Sequence, residues 1–386
     1  MINRSLHFQL LRLSSVYPVV TITGPRQSGK TTLAKLSFPD YAYVSLENFD
    51  LRQLAEADPR GFLRRYSAPV IFDEIQRAPW LLSYLQTMVD EDQSPGQYIL
   101  TGSHQPQLEQ GVSQSLAGRT GLLRLLPLSI VELSAAGIHL ERDQYIHQGF
   151  MPRLYSTRLE AKDLYRDYFA TYVEKDVRMI LNIKDLNTFE IFIKMLAGRI
   201  GQLLNLSSLA NDIGVSVPTI KAWLSVLEAS FIVWQLPCYF ENFGKRLVKN
   251  KKVYFTDVGL AAWLLGIDSP AQVARDPLFG ALFENMVVME ILKSRLNAGE
   301  MANLYFLRDA RGFEIDLLFK QSHNKLIPIE IKGGMTWNKG FCDNLLQLRK
   351  LSEKFASGAV IYAGELTPEI EGVKFLNFKN SAAALG

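Results

Sequence analysis

The feature that most constrains this chain is the stretch GPRQSGKTT at residues 24–32. It follows an apolar run, YPVVTITG (17–24), and opens a helix-length segment. The spacing G-x-x-x-x-G-K-[ST] between a strand and a helix is typical of a phosphate-binding loop, or P-loop. The glycines let backbone N–H groups wrap phosphate, and the start of the helix adds partial positive charge. A chance glycine-rich turn is the alternative, but strand, loop and helix signals all coincide here.

The P-loop predicts that the chain binds ATP and Mg²⁺. Lys30 is expected to reach the β- and γ-phosphates, and Thr31 is expected to bind Mg²⁺. The residues predicted to contact the nucleotide are Gly24, Pro25, Arg26, Gln27, Ser28, Gly29, Lys30, Thr31 and Thr32.

An acid pair follows a second apolar run in VIFDEIQ (70–76). We expect Asp73 to hold the metal and Glu74 to orient and polarise the attacking water. Two carboxylates that end a buried strand are costly without a metal or ligand, which favours a functional role. Capping of a surface turn is the alternative interpretation.

A further strand, YILTGS (98–103), ends in hydroxyl side chains. Thr101 and Ser103 are candidates for sensing the γ-phosphate or positioning the water, and Ser103 is included among the nucleotide contacts. A simple capping role remains open for both, because hydroxyls at the ends of elements often serve as caps.

Five apolar runs alternate with helix-length segments over the first 130 residues. Continuous Val/Ile/Leu runs between helices indicate a parallel sheet covered on both faces, so this part of the chain is predicted to be α/β. The five runs are 17–24, 41–46, 68–74, 96–103 and 121–128.

Length and composition fit a globular chain of several domains. The 386 residues, with 48% hydrophobic and 21% charged, predict two or three domains. We place these at 1–135 for the nucleotide-binding core, 136–270 for a helical middle, and 271–386 for an α/β end. The two cysteines, Cys238 and Cys342, lack metal-type spacing. A reducing cytoplasm is therefore the default compartment. No run approaches the roughly 20 apolar residues of a membrane span, so no membrane association is expected.

The middle region contains a pattern typical of a helix-turn-helix, SSLANDIGVSVPTIKAWLSVLEAS (207–230). Its second helix would present Thr219 and Lys221 to DNA. A hairpin follows, and its connection contains KRLVKNKK (245–252), which holds five cations and no acid. The pattern predicts a winged helix whose phosphate contacts are Lys245, Arg246, Lys249, Lys251 and Lys252. A winged helix used only for packing is the alternative.

The order of P-loop, acid pair, sensor strand and arginine resembles the AAA+ ATPases. Six strings together resemble one group of prokaryotic AAA+ ATPases that carry a C-terminal domain of unknown function. The strings are TGPRQSGKTTLA, DEIQRAP, ILTGSH, SLAGRTGLLRLLPLS, TYVEKDVR and YFTDVGLAAWLLG, and the resemblance extends from about residue 3 to 335. It implies that Arg119 is an arginine finger acting across a subunit interface. A homo-oligomeric ring, with a hexamer as one candidate, is then expected; a surface arginine is the alternative.

Acidic residues and a lysine alternate on two predicted strands near the C-terminus, GFEIDLLFK (312–320) and LIPIEIKGG (326–334). Glu314 and Asp316 share one strand face, as do Glu330 and Lys332. With Glu284 on a preceding helix, this set resembles the PD-(D/E)xK fold of restriction endonucleases. The resemblance implies that Glu284, Asp316 and Glu330 bind Mg²⁺ while Lys332 acts on the attacking water. A solvated strand face with an internal ion pair is the alternative.

Together these features predict an AAA+ ATPase that acts on DNA by binding, remodelling or translocation, with metal-dependent cleavage by the C-terminal domain as a second activity. A nucleotide-dependent switch or protein-remodelling ATPase, whose later domains bind proteins, is the alternative function.

Overall fold

The computed structural model of the chain describes residues 2–103, 115–177, 185–239, 250–309 and 311–386. The chain divides into two compact units. The first contains the chain up to Leu128 together with Ala229–Phe231 and Arg295–Glu300, and the second contains the remainder.

A five-stranded sheet forms the centre of the first unit, in the spatial order β2-β3-β4-β1-β5. All neighbouring strands are parallel, as the apolar runs predicted. The strands are β1 (Val19–Gly24), β2 (Ala42–Ser45), β3 (Val70–Asp73), β4 (Tyr98–Ser103) and β5 (Thr120–Arg124). The helices are α1 (His7–Ser14), α2 (Lys30–Ser37), α3 (Phe49–Ala57), α4 (Pro59–Arg65) and α5 (Leu81–Glu91).

Helices cover both faces of the centre of this sheet, and β1, β3 and β4 are accordingly buried along their whole length. Every residue of β1 is buried. Val19 contributes to one hydrophobic cluster and Val20 to another, because successive side chains of a strand point to opposite faces. Gly24 at the end of β1 pairs with Ser103 at the end of β4. The P-loop and the sensor strand therefore meet at the carboxyl edge of the sheet.

Helices dominate the first part of the second unit. They are α6 (Ile130–Ala135), α7 (Arg142–Gln148), α8 (Pro152–Ser156), α9 (Ala161–Tyr168), which continues as a π-helix (Phe169–Val177), α10 (Leu186–Ala197), α11 (Leu206–Ile213), α12 (Val217–Ala229), α13 (Val258–Leu264), α14 (Pro270–Val273) and α15 (Phe279–Asn297). Gly214 ends α11 in the left-handed conformation that the predicted turn requires. The N-cap of α11 is Asn205, whose side chain accepts from two backbone N–H groups. An antiparallel hairpin, β6 (Val233–Leu236) with β7 (Lys252–Phe255), follows α12.

A six-stranded mixed sheet completes the second unit, in the order β12-β13-β11-β10-β9-β8. Its strands are β8 (Leu304–Arg308), β9 (Glu314–Ser322), β10 (Lys325–Lys332), β11 (Ala359–Tyr362), β12 (Glu369–Ile370) and β13 (Val373–Asn377), with α16 (Asp343–Arg349) between β10 and β11. The predicted pairing of β9 with β10 is antiparallel, whereas β10 and β11 run parallel. The patterns NLYFLRD, FEIDLLFK, LIPIEIKG and GAVIYAG predict β8 to β11, whereas β12 and β13 were not predicted.

Residues on both sides of the predicted domain boundary at 270 belong to the second compact unit, and the boundary itself stays a prediction. Hydrogen bonds connect the two sides of the boundary. The Asn285 side chain on α15 accepts from the backbone N–H of Phe255 at 2.7 Å and donates to its carbonyl at 2.9 Å. Tyr239 donates its backbone N–H to Phe306 at 2.7 Å. No helix within the described ranges combines the length and apolar character needed to cross a bilayer.

Candidate functional sites in the P-loop domain and the C-terminal sheet

The P-loop connects β1 to α2 through backbone that only glycine adopts readily. Gly24 has φ +154°, and a Cβ atom there would lie 2.1 Å from the carbonyl oxygen of Leu125. Gly29 has φ +92° and forms the N-cap of α2. The ammonium of Lys30 donates to the carbonyls of Gly24 at 3.1 Å and Pro25 at 2.8 Å. The loop is therefore already wrapped around its own lysine.

Two features of the loop fit an anionic ligand. Burial lowers the pKa of Lys30 to about 8, although Glu74 and Asp73 act to raise it. The buried ammonium has lost its contact with water, and a bound phosphate would offer it negatively charged oxygens instead. The hydroxyl of Ser28 is fully buried and has no hydrogen-bond partner within the described residues. A buried hydroxyl without a partner is costly, and a phosphate oxygen would supply one.

Asp73 ends β3 and is surrounded by hydroxyl groups. Thr31 donates to its Oδ1 at 2.8 Å, Thr101 donates to the same oxygen, and Tyr43 donates to Oδ2 at 2.8 Å. Carboxylate and hydroxyl oxygens are the ligands that Mg²⁺ prefers. The contact between Thr31 and Asp73, the two residues predicted to hold the metal, therefore fits a magnesium ion. Burial and the bond to Asp73 raise the pKa of Tyr43 to about 12, so this hydroxyl stays a donor.

Glu74, the predicted residue for orienting water, is held by two side chains. Its backbone is left-handed, with φ +57° and ψ +47°. Its Oε2 accepts from the Gln76 amide and from the Ser103 hydroxyl at 3.3 Å. Gln76 also donates to Ser103 at 2.9 Å. Ser103 thus contacts the predicted catalytic carboxylate, whereas Thr101 contacts the predicted metal carboxylate.

Arg119 lies at the other end of the sheet from the P-loop. The residue after it, Thr120, pairs with Val19 at the start of β1. Its guanidinium forms a two-point ion pair with Asp90, at 2.5 and 3.0 Å. Because β1 rises by roughly 17 Å between Val19 and Gly24, Arg119 does not reach the P-loop of its own chain.

The four C-terminal carboxylates do come together, but around lysines. Glu284 on α15 and Glu314 on β9 both bind the ammonium of Lys252, at 3.0 and 2.6 Å. Glu330 binds Lys332 at 2.5 Å, and Asp316 lies 3.5 Å from the same ammonium. Other donors complete the cluster: Tyr254 to Glu284 at 2.5 Å, Arg308 to Glu314 at 2.7 Å, and the backbone N–H of Ile331 to Asp316 at 2.8 Å.

This arrangement does not fit the predicted metal site of Glu284, Asp316 and Glu330. Across the described residues, no group of three or more His, Cys, Asp or Glu side chains is placed to hold a metal ion. The ammonium of Lys252 compensates the charge of Glu284, and that of Lys332 compensates Glu330. The short strand pattern brought the right side chains to one face, but it did not reveal a second lysine among them.

Burial and neighbouring charges together shift the pKa values in this cluster. Burial and the neighbouring Asp316 carboxylate together raise the pKa of Glu330 to about 8, against the effect of Lys332. Burial likewise raises the pKa of Glu284 to about 7, with Lys252 opposing and Asp316 adding. Burial acts to lower the pKa of Lys332, but the carboxylates of Asp316 and Glu330 outweigh it and the pKa lies above its usual value.

The predicted DNA contacts separate into four groups. Lys221 on α12 and Lys251 before β7 are exposed, and both line a cleft of about 440 Å³ between the two helices and the hairpin. Thr219 is half-buried, and its hydroxyl hydrogen-bonds that of Ser216 at 2.8 Å. Lys252 is 2% exposed and belongs to the carboxylate cluster, so its ammonium does not face solvent. Three further contacts fall outside the described residues, namely Lys245, Arg246 and Lys249.

Two curated relatives decide the family. They are the uncharacterized proteins Rv2008c of Mycobacterium tuberculosis and Mb2031c of Mycobacterium bovis. Each is 32% identical to this chain over 353 residues, which covers 90% of the chain and 77% of the relative. This chain belongs to their family. An uncharacterized protein of Haemophilus influenzae is 24% identical, with 97% of both chains covered.

Domain families and one solved structure complete the comparison. An AAA domain matches residues 16–134, and two domains of unknown function follow, DUF8612 at 140–271 and DUF4143 at 279–380. The Walker-type ATPase PABY2304 of Pyrococcus abyssi is 14% identical, with a TM-score of 0.45 over 68% of this chain and 96% of that one. The AAA match confirms the prediction of a P-loop ATPase domain of the AAA type at the N-terminal end of the chain.

Two residues of these sites were missed in the sequence, and a third was assigned to a different site. Tyr43 holds the predicted metal carboxylate and Gln76 holds Glu74, whereas Lys252, predicted as a DNA contact, neutralises the C-terminal acids. Gln76 carried a local signal, because it lies two residues after the acid pair. Tyr43 and Lys252 carried none, since their partners lie 30 or more residues away.

Proposed function

We propose that this protein hydrolyses ATP with Mg²⁺ and couples hydrolysis to DNA bound by its middle region. The observation that carries the first part is the contact of Thr31 with Asp73 at 2.8 Å, beside a loop wrapped around Lys30. Thr31 and Asp73 would hold the magnesium ion, which neutralises charge on the phosphates when it is bound. Lys30 would exchange its two carbonyl partners for phosphate oxygens. Glu74 would orient the attacking water and accept its proton.

Arg119 supports a homo-oligomer as the active form. Arg119 lies just before β5, at the edge of the sheet opposite the P-loop. It can therefore contact only a nucleotide that is bound to a second copy of the chain. In a ring of such copies, each Arg119 would leave Asp90 and contact the γ-phosphate of its neighbour. A guanidinium in that place stabilises the charge of the transferring phosphoryl group.

The arrangement of α11, Gly214, α12 and the β6–β7 hairpin supports a winged helix that binds DNA. Lys221 and Lys251 line one cleft of this arrangement and are exposed. Exposed lysines along a helix-turn-helix suit the phosphate backbone, to which they give affinity without reading base sequence. Trp223 of α12 packs between Phe189 and Phe192, at ring distances of 5.3 Å to each. That packing would fix the helix while its polar side faces a ligand.

Phosphodiester cleavage does not form part of this proposal. The carboxylates that would bind the metal are bonded to Lys252 and Lys332 instead. Incubation of the protein with labelled DNA and Mn²⁺ provides the check. Cleavage by the wild type that is lost in Asp316→Ala would restore the nuclease interpretation.

The test of the proposed function is ATP turnover measured with and without DNA. We expect DNA to stimulate turnover, Lys30→Ala to abolish it, and the double variant Lys221→Ala/Lys251→Ala to lose the stimulation while keeping basal turnover. Turnover that ignores DNA, together with no DNA binding at low salt, would instead favour a nucleotide-dependent switch or protein-remodelling ATPase.

A further inference from the structure

Gln76 is a buried amide in contact with the predicted catalytic carboxylate. It lies on the 3₁₀ turn Ile75–Arg77, directly after the acid pair, and is 7% exposed. Its Nε2 donates one hydrogen to Glu74 and the other to Ser103. The Ser103 hydroxyl itself donates to Glu74, so the three side chains form a closed triangle.

The chemistry of these partners fixes the orientation of the amide. An ionised carboxylate only accepts hydrogen bonds, so the NH₂ group must face Glu74 and the carbonyl oxygen must point elsewhere. That oxygen, Oε1, is buried and accepts no hydrogen bond from the described residues. An unpaired buried acceptor costs about 1–3 kcal/mol, and Glu74 adds the cost of a left-handed backbone. Uncompensated costs of this kind concentrate at functional sites.

We propose that Gln76 is a positioning residue for ATP hydrolysis, which rests on the proposed function above. Its NH₂ group sets the direction of the Glu74 carboxylate, and its carbonyl oxygen accepts a hydrogen bond from the attacking water. The water then has two fixed partners: one hydrogen points to Glu74 and the other to Gln76. As its oxygen bonds to the γ-phosphorus, the bond from phosphorus to the bridging oxygen breaks and the electron pair leaves with ADP. The proton goes to Glu74.

A second buried glutamine provides a matched control. Gln97 precedes β4 at the opposite edge of the same sheet, is 9% exposed, and donates only to the backbone carbonyls of Asp92 and Ser94. Gln76→Met and Gln97→Met remove the same amide, of similar length, from equally buried places. Of the two glutamines, only Gln76 touches the predicted site.

The experiment compares turnover with nucleotide affinity in both variants. We expect Gln76→Met to lower kcat about 10- to 100-fold, the range typical of a misplaced water or base. The Kd for a fluorescent ATP analogue should change less than about threefold. Gln97→Met should keep kcat within about twofold. In a Glu74→Gln background, Gln76→Met should cause a smaller fold-loss in kcat than in the wild type, because the carboxylate that its NH₂ group directs is already gone and only its own contact with the water remains to be lost.

Three results would overturn the assignment: an unchanged kcat in Gln76→Met, a rise in Kd that accounts for the whole loss in kcat/KM, or a fold-loss in the Glu74→Gln background as large as that in the wild type. If Gln76→Met melts well below the wild type, Gln76→Asn takes its place, since it keeps the amide but shortens its reach by one methylene. If the wild type binds ATP but hydrolyses it no faster than the Lys30→Ala variant does, both the proposed hydrolysis and the role of Gln76 are refuted.

Discussion

The ammonium of Lys252 offers a sharp test of the carboxylate cluster. The perturbation is Lys252→Met, which keeps the length of the side chain and removes its charge. The side chain is 3% exposed and binds Glu284 and Glu314. Removal of one partner from a buried ion pair costs about 3–5 kcal/mol. After the change, Glu314 would keep Arg308, but Glu284 would keep only Tyr254.

The loss should lie near the lower end of that range at neutral pH. The pKa of Glu284 is already raised to about 7 by burial, and without Lys252 it rises further. The carboxyl group then takes up a proton rather than remaining as an unpaired buried charge, which limits the cost to about 3 kcal/mol. For a unit of this size, that corresponds to a fall in the melting temperature of about 6–12 °C.

Lys251→Met is the matched control, because the neighbouring lysine is exposed. A surface substitution of this kind should change stability by less than about 0.5 kcal/mol. Thermal and urea unfolding of both variants measure the difference. DNA binding should show the opposite order: Lys251→Met weakens it, and Lys252→Met, assayed below its melting temperature, does not. Equal stability of the two variants would refute the buried ion pair, and an equal loss of DNA affinity would return Lys252 to the DNA-binding surface.

Three other predictions concern separate parts of the second unit. Asp257 accepts hydrogen bonds from Tyr165 at 2.6 Å and from two backbone N–H groups within 2.9 Å. Asp257→Ala should therefore lower the free energy of unfolding, measured in urea, by about 3–4 kcal/mol. A loss below about 1 kcal/mol would contradict this account. Because the pKa of Glu330 is raised to about 8, this carboxyl favours folding most below its unfolded pKa, near 4.5, and the contribution is lost as the pH rises to about 8. The melting temperature of Glu330→Gln should accordingly fall less than that of the wild type between pH 5 and 8.5, and equal slopes would rule this out. Lys221→Ala should reduce the slope of log Kd for DNA against log salt by about 0.9, and an unchanged slope would remove it from the phosphate contacts.

Local signals were sufficient for the P-loop and the strands of the first unit. The phosphate-binding residues are contiguous, and their backbone conformation follows from the glycines and the strand and helix on either side. The run ending at Asp73 had to be a buried parallel strand, because its residues are apolar on both faces. Parallel strands bring their carboxyl ends to one edge, so Thr31, Asp73 and Ser103 could be expected to meet before any coordinates were known.

Contacts between distant segments were decided by the tertiary structure alone. Tyr43 meets Asp73 because β2 pairs with β3, and Arg119 meets Asp90 because the end of α5 lies beside the start of β5. Neither contact can be predicted from the residues that are adjacent to it in the sequence. Gln76 is intermediate: its position after the acid pair was visible, but its unpaired carbonyl oxygen depends on how the whole edge packs.

The two lysines at the start of β7 show the distinction most clearly: Lys251 lies just before the strand and Lys252 is its first residue. In sequence, Lys251 and Lys252 are equivalent members of one basic run. The period of two along a strand means that adjacent side chains point to opposite faces, so only one of them can face solvent. Which one does so depends on where α15 and β9 place Glu284 and Glu314. Those carboxylates lie 32 and 62 residues further along the chain, and their burial makes Lys252 the cation of an internal cluster while Lys251 stays on the surface.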